Sequence, residues 1–415
     1  LDTINYLRRI NAGLPVQFDI TNEIHLAQVI ELTNRILEEI TDLDEVNALI
    51  KQSVRNKERF SLFTHLALKL LKSKLSVQKI DKKLIVTVVF AMYKEHTRIL
   101  PQREHQHGEN FLLQKIEQLE WLFESNPNVD WRMLAVDDGC PENSGEIAKN
   151  LLQGHPLEYK VEVLFIEDAI EKKLAVVDPM KSSTESRKGG SIQYGLWYAA
   201  NKHKDNHIVI FTDADLSTHL GQCGLLLDPV LNGYNAGIGS RRESESVVIK
   251  TGTRNVRGKM FIYLWKRLLP QLNHIVDTQC GFKAFRADIL LNILGHTIEK
   301  QFAFDIELLL KTELIRDESV ENCSIAWIDS EAASTTTEFQ PYLSMLKAIV
   351  KMYQHYLTPN PVSDKFADFI QDLTEEKWQD LLEKVPAGIA DREPLEFDEY
   401  DGVSAEDLKQ LIMDN

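Results

Sequence analysis

Two aspartates one residue apart, Asp213 and Asp215, close an apolar run at 208–211. Such a run reads as a buried strand, and in an open α/β sheet ligands sit at the carboxyl ends of strands. A hard divalent cation takes oxygen ligands there, commonly beside substrate phosphates. The pair therefore points to a site for a metal and a diphosphate. Two carboxylates alone fit a solvated acidic turn equally well, so the neighbouring segments decide.

Asp137 and Asp138 end a second apolar run, just before Gly139. Carboxylates placed so can accept from a base N–H, and a pocket built for that group rejects a base lacking it. A surface turn on Asp-Gly is the plainer alternative. Tyr93 and Glu95 follow another apolar run and stand ready to close the base and ribose side. Lys188-Gly189-Gly190 opens a helical stretch, where backbone N–H groups can approach an anion, or it is a plain loop. Between 241 and 267 lie Arg241, Arg242, Lys250, Arg254, Arg257, Lys259, Lys266 and Arg267, opposed only by Glu243 and Glu245. That excess suits a phosphate-bearing ligand, because the planar guanidinium fork matches phosphate oxygens, or it is a solvated helix face. Gln279 and Lys283 are placed to reach a diphosphate or an acceptor. His105 and His107 read as a polar loop, and Trp197, Trp265 and Trp327 as packing residues.

Five motifs come in a telling order: Phe90-Ala-Met-Tyr-Lys-Glu95, Val136-Asp-Asp-Gly-Cys140, Ser186-Arg-Lys-Gly-Gly-Ser-Ile-Gln-Tyr-Gly195, Asp213-Ala-Asp215, and Gly239-Ser-Arg241 followed by Asp277-Thr-Gln-Cys-Gly-Phe-Lys283 and Phe304-Asp-Ile-Glu307. This order resembles the nucleotide-sugar transferases of glycosyltransferase family 2, and within it the dolichyl-phosphate glucosyl- and mannosyltransferase branch. The resemblance covers residues 84–335, and Asp277 to Lys283 is its most specific piece. It implies a GT-A fold, a UDP-glucose or GDP-mannose donor, and Mg or Mn held by Asp213 and Asp215. The donor contacts it implies are Tyr93, Glu95, Asp137, Asp138, Lys188, Gly189, Asp213, Ala214, Arg241, Gln279 and Lys283. It puts Asp305 and Glu307 on the acceptor side, one of them as general base. It also implies direct displacement with inversion, onto a phosphate-bearing or polyprenyl-phosphate acceptor; a phosphate is already a nucleophile and needs no base. The pattern departs from the family at Ala91, Lys94, Cys140 and Ser217, which bear on the base pocket and the metal geometry.

Two rivals stand beside this reading. An Asp-x-Asp also opens the catalytic domain of aspartate-dependent phosphatases, but here several strands precede it. Gly252-Thr-Arg254 is similar to a loop of sugar nucleotidyltransferases, yet it sits late and follows no glycine-rich strand end. The other rival is a non-catalytic sugar- or partner-binding module.

These residues need a scaffold, and the apolar periodicity supplies one. Strands are expected at 84–90, 131–136, 161–166, 207–212, 236–240, 281–285 and 324–328. Helices are expected at 109–124, 144–152, 190–203, 219–232, 253–269 and 301–315. Alternation on this scale implies a mostly parallel, Rossmann-like α/β sheet with helices on both faces. Residues 20–76 read as helices, with Thr21 as a cap, and 341–357, 364–385 and 404–413 as further ones. The division expected is a helical extension at 1–80, a transferase domain at 81–340 and an acidic helical extension at 341–415.

The 415 residues are 43% hydrophobic and 27% charged, ordinary for a globular protein. Of the net charge of −16, −11 falls within 363–415. That balance disfavours nucleic acid as a partner, since binding it takes a broad basic surface. Four scattered cysteines without a C-x-x-C pair fit reduced thiols. No apolar run reaches the ~18 residues of a membrane span. A cytoplasmic protein is expected, peripheral at a membrane or with a protein partner through its terminal helices. The chain opens on Leu1 rather than Met, as a trimmed piece would.

Overall fold

The computed structural model describes residues 2–203, 205–249, 255–329 and 341–413. Lys250 and Arg254, with the Gly252–Arg254 loop, lie outside them. Nine strands are described: β1 (Leu84–Met92), β2 (Val129–Asp137), β3 (Val161–Phe165), β4 (His207–Thr212), β5 (Ala236–Ser240), β6 (Val247–Ile249), β7 (Phe282–Arg286), β8 (Val320–Ser324) and β9 (Ala326–Ile328). Seven form one sheet in the order β3-β2-β1-β4-β7-β5-β8, and β6 pairs with β9. β1 runs parallel to β2 and β4, with Val88 opposite Met133 and Ile210. These central strands are buried on both sides, which is why they read as continuous β-branched runs.

β7 is antiparallel to both neighbours, β4 and β5. This reversal matters for the site. β7 begins at the rim where β4 ends, so the segment before it, 277–281, comes to lie beside Asp213.

Successive residues of a strand face opposite sides of the sheet. Val86, Val88, Phe90, Ile208 and Ile210 enter one apolar cluster; Val89, Val136, Val209 and Phe211 enter the other. The first cluster takes in the helices Glu23–Glu39, Leu43–Arg55 and Leu62–Gln78. The last of these lies against Gly224, whose N–H donates to Ser73 Oγ at 2.8 Å. The second cluster takes in Gly189–Lys202, Asn255–Leu268, Phe304–Ile315, Tyr342–Tyr356 and Pro361–Gln371. Among the described residues no helix is long and apolar enough to cross a membrane.

Several expected bounds shift for identifiable reasons. The cap of Glu23–Glu39 is Asn22, not Thr21; its side chain accepts from the N–H groups of Ile24 and His25. The helical extension expected at 1–80 begins with a helix at Thr3–Asn11, ahead of the stretch 20–76. The stretch 364–385 is two helices, because Thr374 caps a new one at Glu375–Glu383 and accepts from Lys377 N–H. The strand expected at 324–328 is divided between β8 and β9, which belong to different sheets.

Candidate active site

The ends of β1, β2 and β4 and the start of β7 gather at one rim. Asp213 leaves β4 with its N–H donating to Gly281 O at 3.2 Å. Its carboxylate lies flat against Gly281: a Cβ there would stand 2.4 Å from both oxygens, so only glycine lets the two approach. The Lys188 ammonium rests on Asp213, and the two side chains remain 37% and 33% exposed. Burial works against charge on Asp213, but Lys188 and then Arg241 outweigh it and hold its pKa below the usual aspartate range. Burial likewise opposes the Lys188 charge, and Asp213, Asp305 and Asp215 together overcome it. Lys188 therefore touches Asp213 and feels the charge of two more of the expected carboxylates.

The same residue ties this rim to the Asp137–Asp138 turn. Asp138 Oδ2 accepts from Lys188 N–H at 2.7 Å, and Oδ1 from Ser191 Oγ at 2.5 Å. Asp137 accepts from Cys140 N–H at 2.8 Å and Gly145 N–H at 2.7 Å. Both carboxylates are thus turned inward, 4% and 6% exposed, and hold loops rather than facing outward toward a base. The helix start at Gly189–Lys202 is also occupied internally. Gly190 N–H donates to Lys300 O and Ser191 N–H to Ser186 Oγ, so these donors are not presented to an anion. What this segment offers the site is the ammonium of Lys188. Gly189 serves close packing, since a Cβ there would meet Gln301 O at 2.3 Å.

Three residues that the motifs did not single out, Arg98, Lys115 and Glu109, hold the Asp215–Leu216 turn. Arg98 Nη1 lies 3.6 Å from Asp215 Oδ2, while Nε and Nη2 grip both oxygens of Glu95 at 2.7 and 2.6 Å. Lys115 is fully buried and donates to Asp215 O at 2.7 Å; burial pulls its pKa down to about 8. Glu109 accepts from Leu216 N–H at 3.3 Å. Ser217 donates its N–H to Asp215 Oδ1 at 3.0 Å and is itself 2% exposed. Glu95, expected on the ribose side, is engaged by Arg98. Tyr93 is 51% exposed at the rim. Two departures from the family pattern touch each other: Lys94 N–H points to Cys140 Sγ at 3.1 Å.

Asp305 and Glu307 take different sides of their helix, as residues two apart must. Asp305 accepts from Gln279 Nε2 at 2.7 Å and faces buried Lys283 at 3.3 Å. Burial raises its pKa, with Lys283 opposing. Glu307 accepts from the N–H groups of Ile298 and Glu299 at 2.7 and 2.8 Å and from the Tyr356 hydroxyl. It is fully buried and supports the 298–301 loop; it does not share the Asp305 environment.

Arg241 is likewise committed, with its N–H, Nε and Nη2 on Asp277 at 2.7–2.8 Å. Burial opposes charge on Asp277, yet Arg241 holds its pKa far below the usual range. Three members of the basic run belong to the acidic C-terminal segment instead of a ligand. Lys259 reaches Ala390 O and Glu393, Lys266 pairs with Asp398, and Arg267 donates to Phe397 O and Tyr400 O.

No protein-family model matches the sequence. Among curated proteins, the chain is similar to the dolichyl-phosphate beta-glucosyltransferase of Drosophila melanogaster: 26% identical over 248 residues, 58% of this chain and 68% of that protein. It is 24% identical to the Homo sapiens dolichyl-phosphate beta-glucosyltransferase over 281 residues, 66% of this chain and 76% of that one. Among solved structures, glucosyl-3-phosphoglycerate synthase from Mycobacterium tuberculosis is similar with a TM-score of 0.45 and 16% identity, over 71% of this chain and 86% of that chain.

A mostly parallel sheet whose fourth strand ends in Asp-x-Asp, in a chain with these curated relatives, defines a glycosyltransferase. Its curated relatives are dolichyl-phosphate beta-glucosyltransferases, of glycosyltransferase family 2.

Proposed function

We propose that the chain transfers a hexose from a nucleotide-diphosphate sugar, of UDP-glucose or GDP-mannose type, to a phosphate-bearing acceptor such as a polyprenyl phosphate. One observation carries the reading. Lys188 is bonded through its backbone to the Asp138 turn and through its ammonium to Asp213, so the nucleoside and diphosphate ends of a donor have one continuous rim to lie on. Tyr93, exposed at the end of β1, would cover the base.

Asp213 and Asp215 suit Mg or Mn. Among the described residues no group of three or more His, Cys, Asp or Glu side chains is arranged to hold a metal. Two hard carboxylates at a rim fit an ion that keeps waters and shares phosphate oxygens with its substrate. When bound, such an ion offsets the charge gathering on the departing nucleoside diphosphate. Gly281 fixes where Asp213 can stand, and Arg98 and Lys115 fix Asp215.

The acceptor assignment follows from Asp305. Its oxygens already accept from Gln279 and Ile306 N–H and face Lys283, so it is poorly placed to take a proton. An ionised phosphate needs no base, and the relatives are named for dolichyl phosphate. The protein would then work at a membrane surface.

The test is a panel of UDP, GDP, UDP-glucose and GDP-mannose, with and without Mn, read by thermal shift. It is followed by transfer from the binding donor to dolichyl phosphate in detergent. A metal-dependent shift with one base and label appearing in the lipid phase supports the proposal. Binding without transfer to any phosphate acceptor would return the protein to the sugar-binding alternative.

A further inference from the structure

Lys188 is anchored at its backbone and open at its charged end. Arg187 and Lys188 both have positive φ, 40° and 84°, which is costly for residues that carry a Cβ. The Lys188 N–H is fastened to Asp138 Oδ2 at 2.7 Å, so the peptide is fixed and only the four-carbon stem can swing. Its ammonium sits on Asp213, where a divalent ion would seek its oxygen ligand. Asp213 lies close against Gly281, where a Cβ would stand 2.4 Å from both its oxygens. Yet the pair is solvent-accessible, at 37% and 33% side-chain exposure.

We propose that Lys188 is an exchangeable counter-ion: its ammonium holds Asp213 in the empty site and moves to the donor diphosphate when metal and nucleotide load together. This deepens the reading above by assigning an order of filling, in which neither ligand binds well alone. The charges argue for it. Asp213 already has Lys188, and Asp215 already has Arg98 at 3.6 Å. A divalent ion arriving alone meets carboxylates that are largely compensated, with an ammonium against it. A diphosphate arriving alone finds Lys188 already engaged by Asp213 and must draw it away from that carboxylate. Arriving together, the cation takes the carboxylates and the phosphates take Lys188, so each charge has an opposite. Binding couplings of this kind are typically 5- to 150-fold, and they are reciprocal between the two ligands.

The test is Mn2+ binding to the full chain, read from the electron paramagnetic resonance of free Mn2+, with no turnover required. In the unsubstituted protein, saturating UDP or GDP tightens Mn2+ binding by about tenfold or more. In Lys188→Gln, Mn2+ alone binds about tenfold tighter, and the nucleotide then adds threefold at most. Lys188→Arg keeps the charge and therefore the coupling. The proposal is overturned if Lys188→Gln binds Mn2+ alone no tighter than the unsubstituted protein, or if Lys188→Arg loses the coupling as well. Should Lys188→Gln fail to fold, the unsubstituted protein still decides: Mn2+ binding that ignores a nucleotide which does bind overturns it. Failure of both UDP and GDP to bind under any metal condition refutes the donor reading itself and takes this inference with it.

Discussion

Replacing Gly281 by alanine tests whether the position of Asp213 is what the rim exists to set. The added Cβ would stand 2.4 Å from both Asp213 oxygens, while ordinary contact begins at 3.4 Å. The obstructing atoms are the end of a short, partly exposed side chain, so the carboxylate moves back about 1 Å and the fold survives. Gly281 is not among the positive-φ residues, so alanine adds no backbone strain. It also restricts the unfolded chain, a gain of about 0.4–1 kcal/mol that offsets part of the crowding. Net stability should change by about 1 kcal/mol or less. Catalysis is less forgiving: a 1 Å misplacement can cost about 100-fold, equivalent to ~2.7 kcal/mol of transition-state free energy. The assay is kcat/KM for transfer from the donor that the nucleotide panel identifies, with melting temperature measured in parallel. Gly295→Ala is the control, because nothing lies within 4 Å of its added Cβ. The reasoning is refuted if Gly281→Ala keeps kcat/KM within about threefold, or if activity falls only as the fold is lost.

Three more substitutions separate support from chemistry. Asp305→Asn should leave kcat of the folded fraction within about threefold, because a phosphate acceptor needs no base, and Glu307→Gln should cost about 1–3 kcal/mol of stability with kcat of the folded fraction nearly unchanged; initial rates at matched folded fraction check both, and a loss of more than about tenfold in Asp305→Asn would restore Asp305 as the base. Asp277→Asn strands the largely buried Arg241 charge and should destabilise by about 3–5 kcal/mol in urea unfolding. His207 gives a pH signature. Burial holds its pKa down to about 4, against ordinary values near 6.5, so the folded state resists the proton that the unfolded state accepts. Its contribution is fully present above about pH 6.5 and is lost as pH falls toward 4, on the order of 2–3 kcal/mol. His207→Gln should flatten the stability profile of the protein in that window, and an unchanged profile would contradict the assignment.

The scaffold was legible because its signal is repetitive. Apolar runs at β1 and β4 and helices between them state a parallel sheet many times over. The reversal of β7 carried no such signal: Phe-Lys-Ala-Phe-Arg reads alike in either direction, and only its partners set its sense. Asp213 and Lys188 were legible as motif residues, and the structure brings them together. The motif puts Asp305 and Glu307 on the acceptor side alike because it gives spacing only, while a helix turns about 200° in two residues and separates them. Lys115 did leave a trace. In Phe111–Phe123 it falls with Leu112, Ile116 and Leu119 on the apolar stripe, where a lysine implies a buried partner. Arg98 left none, since a loop has no period to violate. The basic run is open in sequence to a phosphate-bearing ligand or a solvated helix face, because charge excess alone does not say that part of its partner is the chain's own acidic tail.

The contacts also bear on what the terminal segments are for. Tyr356, from the helix Tyr342–Tyr356, bonds to Glu307, which holds the N–H groups of Ile298 and Glu299. The next residue, Lys300, accepts from Gly190 N–H, two positions beyond Lys188. On the opposite face Glu23 accepts from Asn110 Nδ2 at 2.9 Å, beside the Glu109 that receives Leu216 N–H. The C-terminal segment therefore braces the Lys188 arm of the rim, and the N-terminal segment braces the Asp215 arm. Each also covers apolar side chains from one face of the sheet, which a stable monomer does not leave bare over a large area. A site that must hold two carboxylates and an ammonium at fixed spacing needs rigid support on both sides, and here the segments outside the motif-bearing region supply it.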